Sequence, residues 1–152
     1  VIGLLEGGLV KILVTGASGF IGRHIVEEFR LSGQDVRATD LPTRDLLQAS
    51  ALGAEVIPGD LLKGDDVRRL PEGDCAATLN LALPFETCLP INLDVSCLSC
   101  DEAGKQGLRQ FLHTSTGGVY GASISAPLRE DHPHHAHDAC SPSKEAGESG
   151  GA

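Results

Sequence analysis

A chain of 152 residues carries one domain with a real core and is too short for two. Its 41% hydrophobic and 22% charged content is that of an ordinary globular protein, and with only 3% aromatics the core must be built from Leu, Ile, Val and Ala. Twelve Lys+Arg against 21 Asp+Glu, a formal net charge of −9, leave no basic face for a nucleic-acid backbone. No apolar run approaches a membrane span. Cys75, Cys88, Cys97, Cys100 and Cys140 make an odd number with no secretory signal, so reduced thiols in the cytoplasm are expected.

Residues 1–10 form a Gly-rich lead-in. Lys11-Ile-Leu-Val-Thr15 is a compact apolar run of buried-strand type. A glycine turn follows, then a helix predicted over Phe20–Leu31, with Phe20, Ile21, Ile25, Val26 and Phe29 on one face and Arg23, Glu27 and Glu28 opposite. Ser32-Gly33 stops it. Gln34–Thr39 reads as a second strand ending at Asp40. A short helical piece over Arg44–Leu52 leads to a third strand, Glu55–Pro58, and a brief helix, Asp65–Leu70, with Asp65 and Asp66 at its positive end. Ala76–Ala82 reads as a fourth strand, Asn92–Gly107 as a helix and Leu108–Thr114 as a fifth strand. Ala122–Ala139 is a polar loop with four His, and helical character returns at Ser143–Glu148 before a tail at 149–152. Strands alternating with helices predict an α/β fold, a doubly wound parallel sheet of Rossmann type spanning residues 11–148.

The most informative segment is Gly16-Ala-Ser-Gly19-Phe-Ile-Gly22, a GxxGxxG pattern where a strand ends and an amphipathic helix begins. Gly16 permits the tight turn, Gly19 lets backbone approach a pyrophosphate, and Gly22 lets helix pack on strand. Free amides around Ser18, Phe20 and Ile21 then face the phosphates. Asp40, at the end of the next strand, is placed to accept the adenosine ribose hydroxyls and to repel a 2′-phosphate. The implied small-molecule partner is a dinucleotide, NAD. Arg37 and Arg44 keep NADP as the lesser alternative.

Several further segments resemble the extended short-chain dehydrogenase/reductase family, the NAD-dependent epimerase/dehydratases. Gly59-Asp60-Leu61-Leu62 is similar to the family's Gly-Asp-Leu, whose Asp meets the adenine, and Asn80-Leu81-Ala82 to its His-Leu-Ala-Ala, which passes under the cofactor. His113-Thr-Ser-Thr-Gly-Gly-Val-Tyr-Gly121 resembles its Ser/Thr-rich turn into Val-Tyr-Gly. Asp138-Ala-Cys-Ser-Pro-Ser-Lys144 with Glu148 resembles its Tyr-xxx-Lys segment. The resemblance implies a strand order of 3-2-1-4-5, a hydroxyl at Thr116 that fixes the reacting oxygen, and a lysine at Lys144 that holds the nicotinamide ribose. The lysine would also lower the pKa of a proton-transferring tyrosine one helical turn before it.

At the tyrosine position this chain has Cys140, whose sulfur lies several ångströms short of a phenolic oxygen, so family catalysis is expected to be impaired. Against the family pattern the stretch from Ala82 to Asn92 is short. The later strands and the carboxy-terminal substrate lobe are missing, which makes the fifth strand a bare edge for that lobe or a second copy to cover. The enzyme reading is therefore the cofactor-binding part of an oxidoreductase acting on a nucleotide-sugar or related carbonyl substrate. The alternative is a non-catalytic NAD-binding module or decayed fragment. Cys97-Leu-Ser-Cys100 lies within a predicted helix and reads as structural thiols, and His132-Pro-His-His-Ala-His137 as solvated loop residues, so no functional metal site is expected.

Overall fold

The computed structural model describes residues 11–71, 75–79, 91–108, 110–122, 127–138 and 140–150. Five strands form one parallel sheet: β1 (Lys11–Thr15), β2 (Asp35–Thr39), β3 (Glu55–Val56), β4 (Cys75–Leu79) and β5 (Gln110–His113). Their order is β3-β2-β1-β4-β5, with Lys11 opposite both Asp35 and Cys75. The chain winds outward from β1 to β3, then crosses back to β4 on the other side. The switch point therefore lies between β1 and β4, where open sheets of this kind bind ligands at the strand carboxyl ends. β5 is the sheet's edge among the described residues.

β1 is buried from Ile12 to Thr15, with an apolar Ile12-Leu13-Val14 centre, because both its faces are covered. Successive side chains alternate sides. Ile12 and Val14 join Val26, Val36, Ala38, Leu46 and Ala49 in the larger core, under α1 (Phe20–Leu31) and α2 (Leu47–Ala51). Leu13 faces the other way and packs with Leu70, Leu61, Leu108 and Phe111, beside α3 (Gly64–Arg69) and α4 (Ser96–Lys105). α4 is entered through a π-helical turn, Ile91–Val95, where the sequence predicts a single helix from Asn92. α5 (Ser141–Gly150) is longer than its predicted core. α1 ends at Gly33, whose φ of +82° lets the Gln34 amide donate back to the Phe29 carbonyl at 2.9 Å.

One predicted helix face is corrected. Phe20 and Ile21 are 72% and 51% exposed, whereas Val26 is fully buried. The face on the core runs through Gly22, Val26 and the flanking Ile25 and Phe29. The first turn of α1 stands at the strand ends, beyond the sheet's apolar surface. Phe20 instead takes the Arg23 guanidinium over its ring at 5.1 Å and the edge of His24 at 5.1 Å. No helix among the described residues is long and apolar enough to cross a membrane.

Candidate functional site

The turn between β1 and α1 is built by glycine at each end. Gly16 has φ +64°, a conformation costly for other residues, and its carbonyl accepts the Gly19 amide at 3.0 Å. At Gly22 a Cβ would fall 2.1 Å from the Gly16 carbonyl oxygen and 2.9 Å from Ala17 Cα, so only glycine lets α1 start this close to the turn. The first backbone bond inside the helix end is from Arg23 N–H to Gly19 at 3.0 Å. The amides of Phe20, Ile21 and Gly22 precede it and have no intrahelical acceptor, and Gly19 supplies no capping side chain. Three donors thus point out of the positive end of a 12-residue helix toward the strand ends.

Asp40 closes this turn from the side. Its Oδ2 accepts Ser18 N–H at 3.0 Å and Ser18 Oγ–H at 2.6 Å, and its Oδ1 accepts Leu41 N–H at 2.8 Å. Ala17 N–H donates to the Thr39 carbonyl at 3.1 Å, so the glycine turn is tied to the end of β2 twice. Arg37 does not belong here. It is 4% exposed, with Nε and Nη2 on the two Glu55 carboxylate oxygens at 3.0 and 3.2 Å and Nη1 on the Leu70 carbonyl at 2.8 Å. Its guanidinium is held in the body of the sheet. Arg44 is exposed in the loop after Asp40.

Asp60 follows β3 next to this clamp, since Gly59 N–H donates to the Asp40 carbonyl at 3.0 Å. The Asp60 carboxylate accepts Leu62 N–H at 3.1 Å, and Leu61 packs into the smaller core cluster. Asp66, assigned from sequence only to the helix start, braces this loop by accepting Asp60 N–H at 2.9 Å. That bond, and then the Arg69 guanidinium, hold its carboxyl below the usual carboxylate range. Leu81 and Ala82 lie outside the described residues, as does most of the Ala82–Asn92 stretch.

The second half of the site joins the turn after β5 to α5. Thr116 is exposed and caps a 3-10 turn, Gly117–Tyr120, by accepting Gly118 N–H at 3.2 Å. Cys140 immediately precedes α5. Its carbonyl accepts Lys144 N–H at 3.3 Å, so the thiol and the lysine stand one helical turn apart. Lys144 is buried and donates from Nζ to the Thr114 carbonyl at 2.9 Å. Ser115 Oγ–H donates to Glu148 in a short hydrogen bond. Gly118 lacks a Cβ that would meet Ser141 Oγ at 2.2 Å. These three contacts clasp the turn carrying Thr116 onto the helix carrying Cys140 and Lys144.

Asp138 stabilises the start of α5. It accepts Cys140 N–H and Ser141 N–H at 2.8 and 2.6 Å, and the Ser141 hydroxyl and these amides hold its carboxyl below its ordinary range. Asn92, unremarked in the sequence, is buried and donates from Nδ2 to Ser143 Oγ at 2.8 Å, locking the π-helical turn to α5. A lone Asn at a predicted helix start carries no signal of such a role. His132 and His134 set their edges against Tyr120, with ring centroids 5.9 and 5.3 Å away, and His134 Nδ1 is 3.1 Å from Glu145 Oε1. Among the described residues no three His, Cys, Asp or Glu converge on a common point.

The family model for the NAD dependent epimerase/dehydratase family matches residues 12–150. The chain is 30% identical over 131 residues to the protein y4nG of Sinorhizobium fredii, covering 82% of this chain and 32% of that one. It is 26% identical over 141 residues to UDP-glucose 4-epimerase of Bacillus subtilis, with 82% of this chain and 42% of the relative covered. A short-chain dehydrogenase/reductase superfamily protein of Agrobacterium tumefaciens, solved with bound NAD, superposes with a TM-score of 0.80 at 28% identity, over 92% of this chain and 43% of that one. The chain thus spans less than half the length of these relatives. With the glycine turn, the Asp40 clamp, the β3-β2-β1-β4-β5 order and a match over nearly its whole length, this chain belongs to the NAD-dependent epimerase/dehydratase family.

Proposed function

We propose that this chain is the NAD-binding part of an epimerase/dehydratase-type oxidoreductase acting on a nucleotide-sugar or related carbonyl or hydroxyl substrate, with Cys140 impairing its proton transfer. The observation that carries the cofactor reading is the bare amide end of α1. It is brought against the Gly16 turn by a glycine that tolerates no Cβ, and Asp40 flanks it. Gly16, Ser18 and Gly19 would shape the turn beneath the pyrophosphate, and the amides of Phe20, Ile21 and Gly22 would hold it. Asp40 would take the ribose hydroxyls, and Asp60 and Leu61 the adenine side. A carboxylate at Asp40 disfavours a 2′-phosphate, and engagement of Arg37 by Glu55 favours NAD over NADP further.

NAD, when bound, supplies a hydride acceptor. The chain's own residues contribute position and charge. Thr116 presents a hydroxyl from a turn clasped to α5, and Lys144 holds a buried ammonium beside the Thr114 carbonyl. Cys140 is one turn before that ammonium but carries a side chain too short to replace a phenol, so the group that moves a proton is displaced from the reacting oxygen. Activity of the whole protein would need a substrate side as well, and this chain spans less than half the length of the relatives it matches. Cys140 specifically favours a second reading, a module that binds NAD without turnover.

Titration calorimetry of NAD into the purified chain tests the common ground of both readings. Saturable binding is expected, and it should vanish in Gly19→Val, because even a Cβ at Gly19 comes within 3.2 Å of the Gly16 carbonyl oxygen. Absence of binding by a folded chain refutes both.

A further inference from the structure

Ser18 stands between the two parts of the cofactor turn, just before the amide end of α1 and against Asp40 at the end of β2. Its hydroxyl is not what places the Asp40 carboxylate. Backbone does that. Ser18 N–H donates to Oδ2 at 3.0 Å and Leu41 N–H to Oδ1 at 2.8 Å. Gly59 N–H holds the Asp40 carbonyl at 3.0 Å, and Ala17 N–H holds the Thr39 carbonyl at 3.1 Å. With one amide on each oxygen and the chain pinned on both sides, the carboxylate is fixed without the Ser18 side chain. The hydroxyl still approaches Oδ2 at 2.6 Å, closer than the amide of the same residue.

That bond decides which way the hydroxyl can act. A carboxylate only accepts, so the proton of the pair belongs to Ser18 and is committed to Oδ2. Among the described residues no donor reaches Ser18 Oγ, so its lone pairs are open, and the bond to the carboxylate makes them stronger acceptors. Asp40 itself has little left to offer. Oδ2 already accepts two bonds and Oδ1 one, against about two lone pairs on each oxygen. One acceptor position therefore remains on the carboxylate. A ribose presents two neighbouring hydroxyls, 2′ and 3′, and each needs an acceptor. Ser18 and Asp40 are both only half-buried, so Oδ1 and Oγ together can meet such a pair.

We infer that Ser18 Oγ is a second ribose acceptor: one hydroxyl of the adenosine ribose donates to Asp40 Oδ1 and the other to Ser18 Oγ, whose own proton Asp40 holds. The two side chains form an acceptor-only pair that selects a diol. A 2′-phosphate, itself an acceptor, gains no donor from Ser18 while that proton is on Asp40. The inference rests on the NAD-binding reading above and adds to it a residue that reads the ribose through its side chain.

The test is calorimetric titration of the whole chain with NAD and with its 2′-deoxy and 3′-deoxy analogues on the adenosine side, in the wild type and in Ser18→Ala. The variant keeps the Ser18 amide and so keeps the backbone hold on Asp40. In the wild type, loss of either hydroxyl should weaken binding by roughly two- to tenfold, the effect of one net hydrogen bond. In Ser18→Ala, NAD should weaken by about that factor. The penalty for removing one of the two hydroxyls should then disappear, while the penalty for the other stays. If Ser18→Ala is unfolded by circular dichroism, Ser18→Gly, which keeps the same amide, replaces it. A hydroxyl that only braces Asp40 would weaken all three ligands by one factor and leave both penalties intact. That result, or a wild type indifferent to either hydroxyl, overturns the inference and leaves NAD binding standing. A folded wild type that binds no NAD overturns the cofactor reading and this inference with it, so the two failures are distinct.

Discussion

Replacing Gly22 with Ala is the sharpest perturbation of the cofactor turn. Within a helix this change ordinarily stabilises, by up to about 1 kcal/mol. Here the added carbon would lie 2.1 Å from the Gly16 carbonyl oxygen, 2.8 Å from its carbon and 2.9 Å from Ala17 Cα. Ordinary contact needs more than ~1 Å of extra separation from that oxygen. All three neighbours are backbone, so no side chain can swing away. Either α1 shifts along the sheet or the turn opens. Overpacking of this kind costs about 1–3 kcal/mol, and the turn's strain places Gly22 at the upper end, leaving a net loss of about 2 kcal/mol after the helix gain. For a chain of this size the midpoint should fall by roughly 4–8 °C. NAD affinity should fall at least about tenfold, because the same shift moves the phosphate-facing amides. Gly104→Ala is the control. It lies in α4 with nothing within 4 Å of its would-be Cβ, and should raise the midpoint by a few degrees. The assay is paired thermal melts with calorimetry. A Gly22→Ala chain that melts at or above the wild type, or that tracks Gly104→Ala, refutes the close-approach reasoning.

Asp40→Ala removes the acceptor for Ser18 N–H, Ser18 Oγ–H and Leu41 N–H, and should cost about 1–3 kcal/mol in a denaturant titration along with most of the NAD affinity. An unchanged midpoint and affinity would remove Asp40 from the site. Arg37→Met should destabilise by about 1–2 kcal/mol, less than for a fully buried pair because the Glu55 side chain is 43% exposed and rehydrates. It should leave the choice between NAD and NADP untouched in competition binding, and a shift toward either would reinstate Arg37 as a reader. The Glu55 carboxyl is held below its ordinary 4.5 by Arg37 first and Lys11 second. Its contribution is therefore complete above that value and is lost as pH falls through the lower folded value, so acid unfolding curves of wild type and Arg37→Met should converge there. In a reading frame that also encodes the carboxy-terminal half, Cys140→Tyr should raise turnover by about 10²–10⁴, the range of general acid–base catalysis. No gain would show that Cys140 is not the limiting departure.

The parts of this protein legible in its sequence are those governed by local rules. A run such as Lys11–Thr15 is a buried strand in almost any α/β context. The spacing of Gly16, Gly19 and Gly22 marks the turn because backbone conformation and close approach select glycine residue by residue. The order of the sheet followed from strand–helix alternation together with the family resemblance. The helix face holding Phe20 and Ile21 did not, because periodicity gives a helix's angular preference but not where along its length the sheet stops beneath it. Arg37 reads as a cofactor contact by proximity to Asp40 in the chain, yet strand alternation and the approach of Glu55 and the Leu70 carbonyl engage its guanidinium in the sheet. Asn92, Asp66 and His113 are polar residues whose partners lie on other elements, some 6 to 51 positions away. A single polar residue in one sequence shows no periodicity and no spacing. Only when the elements are packed together does it become apparent which hydrogen bonds these residues make.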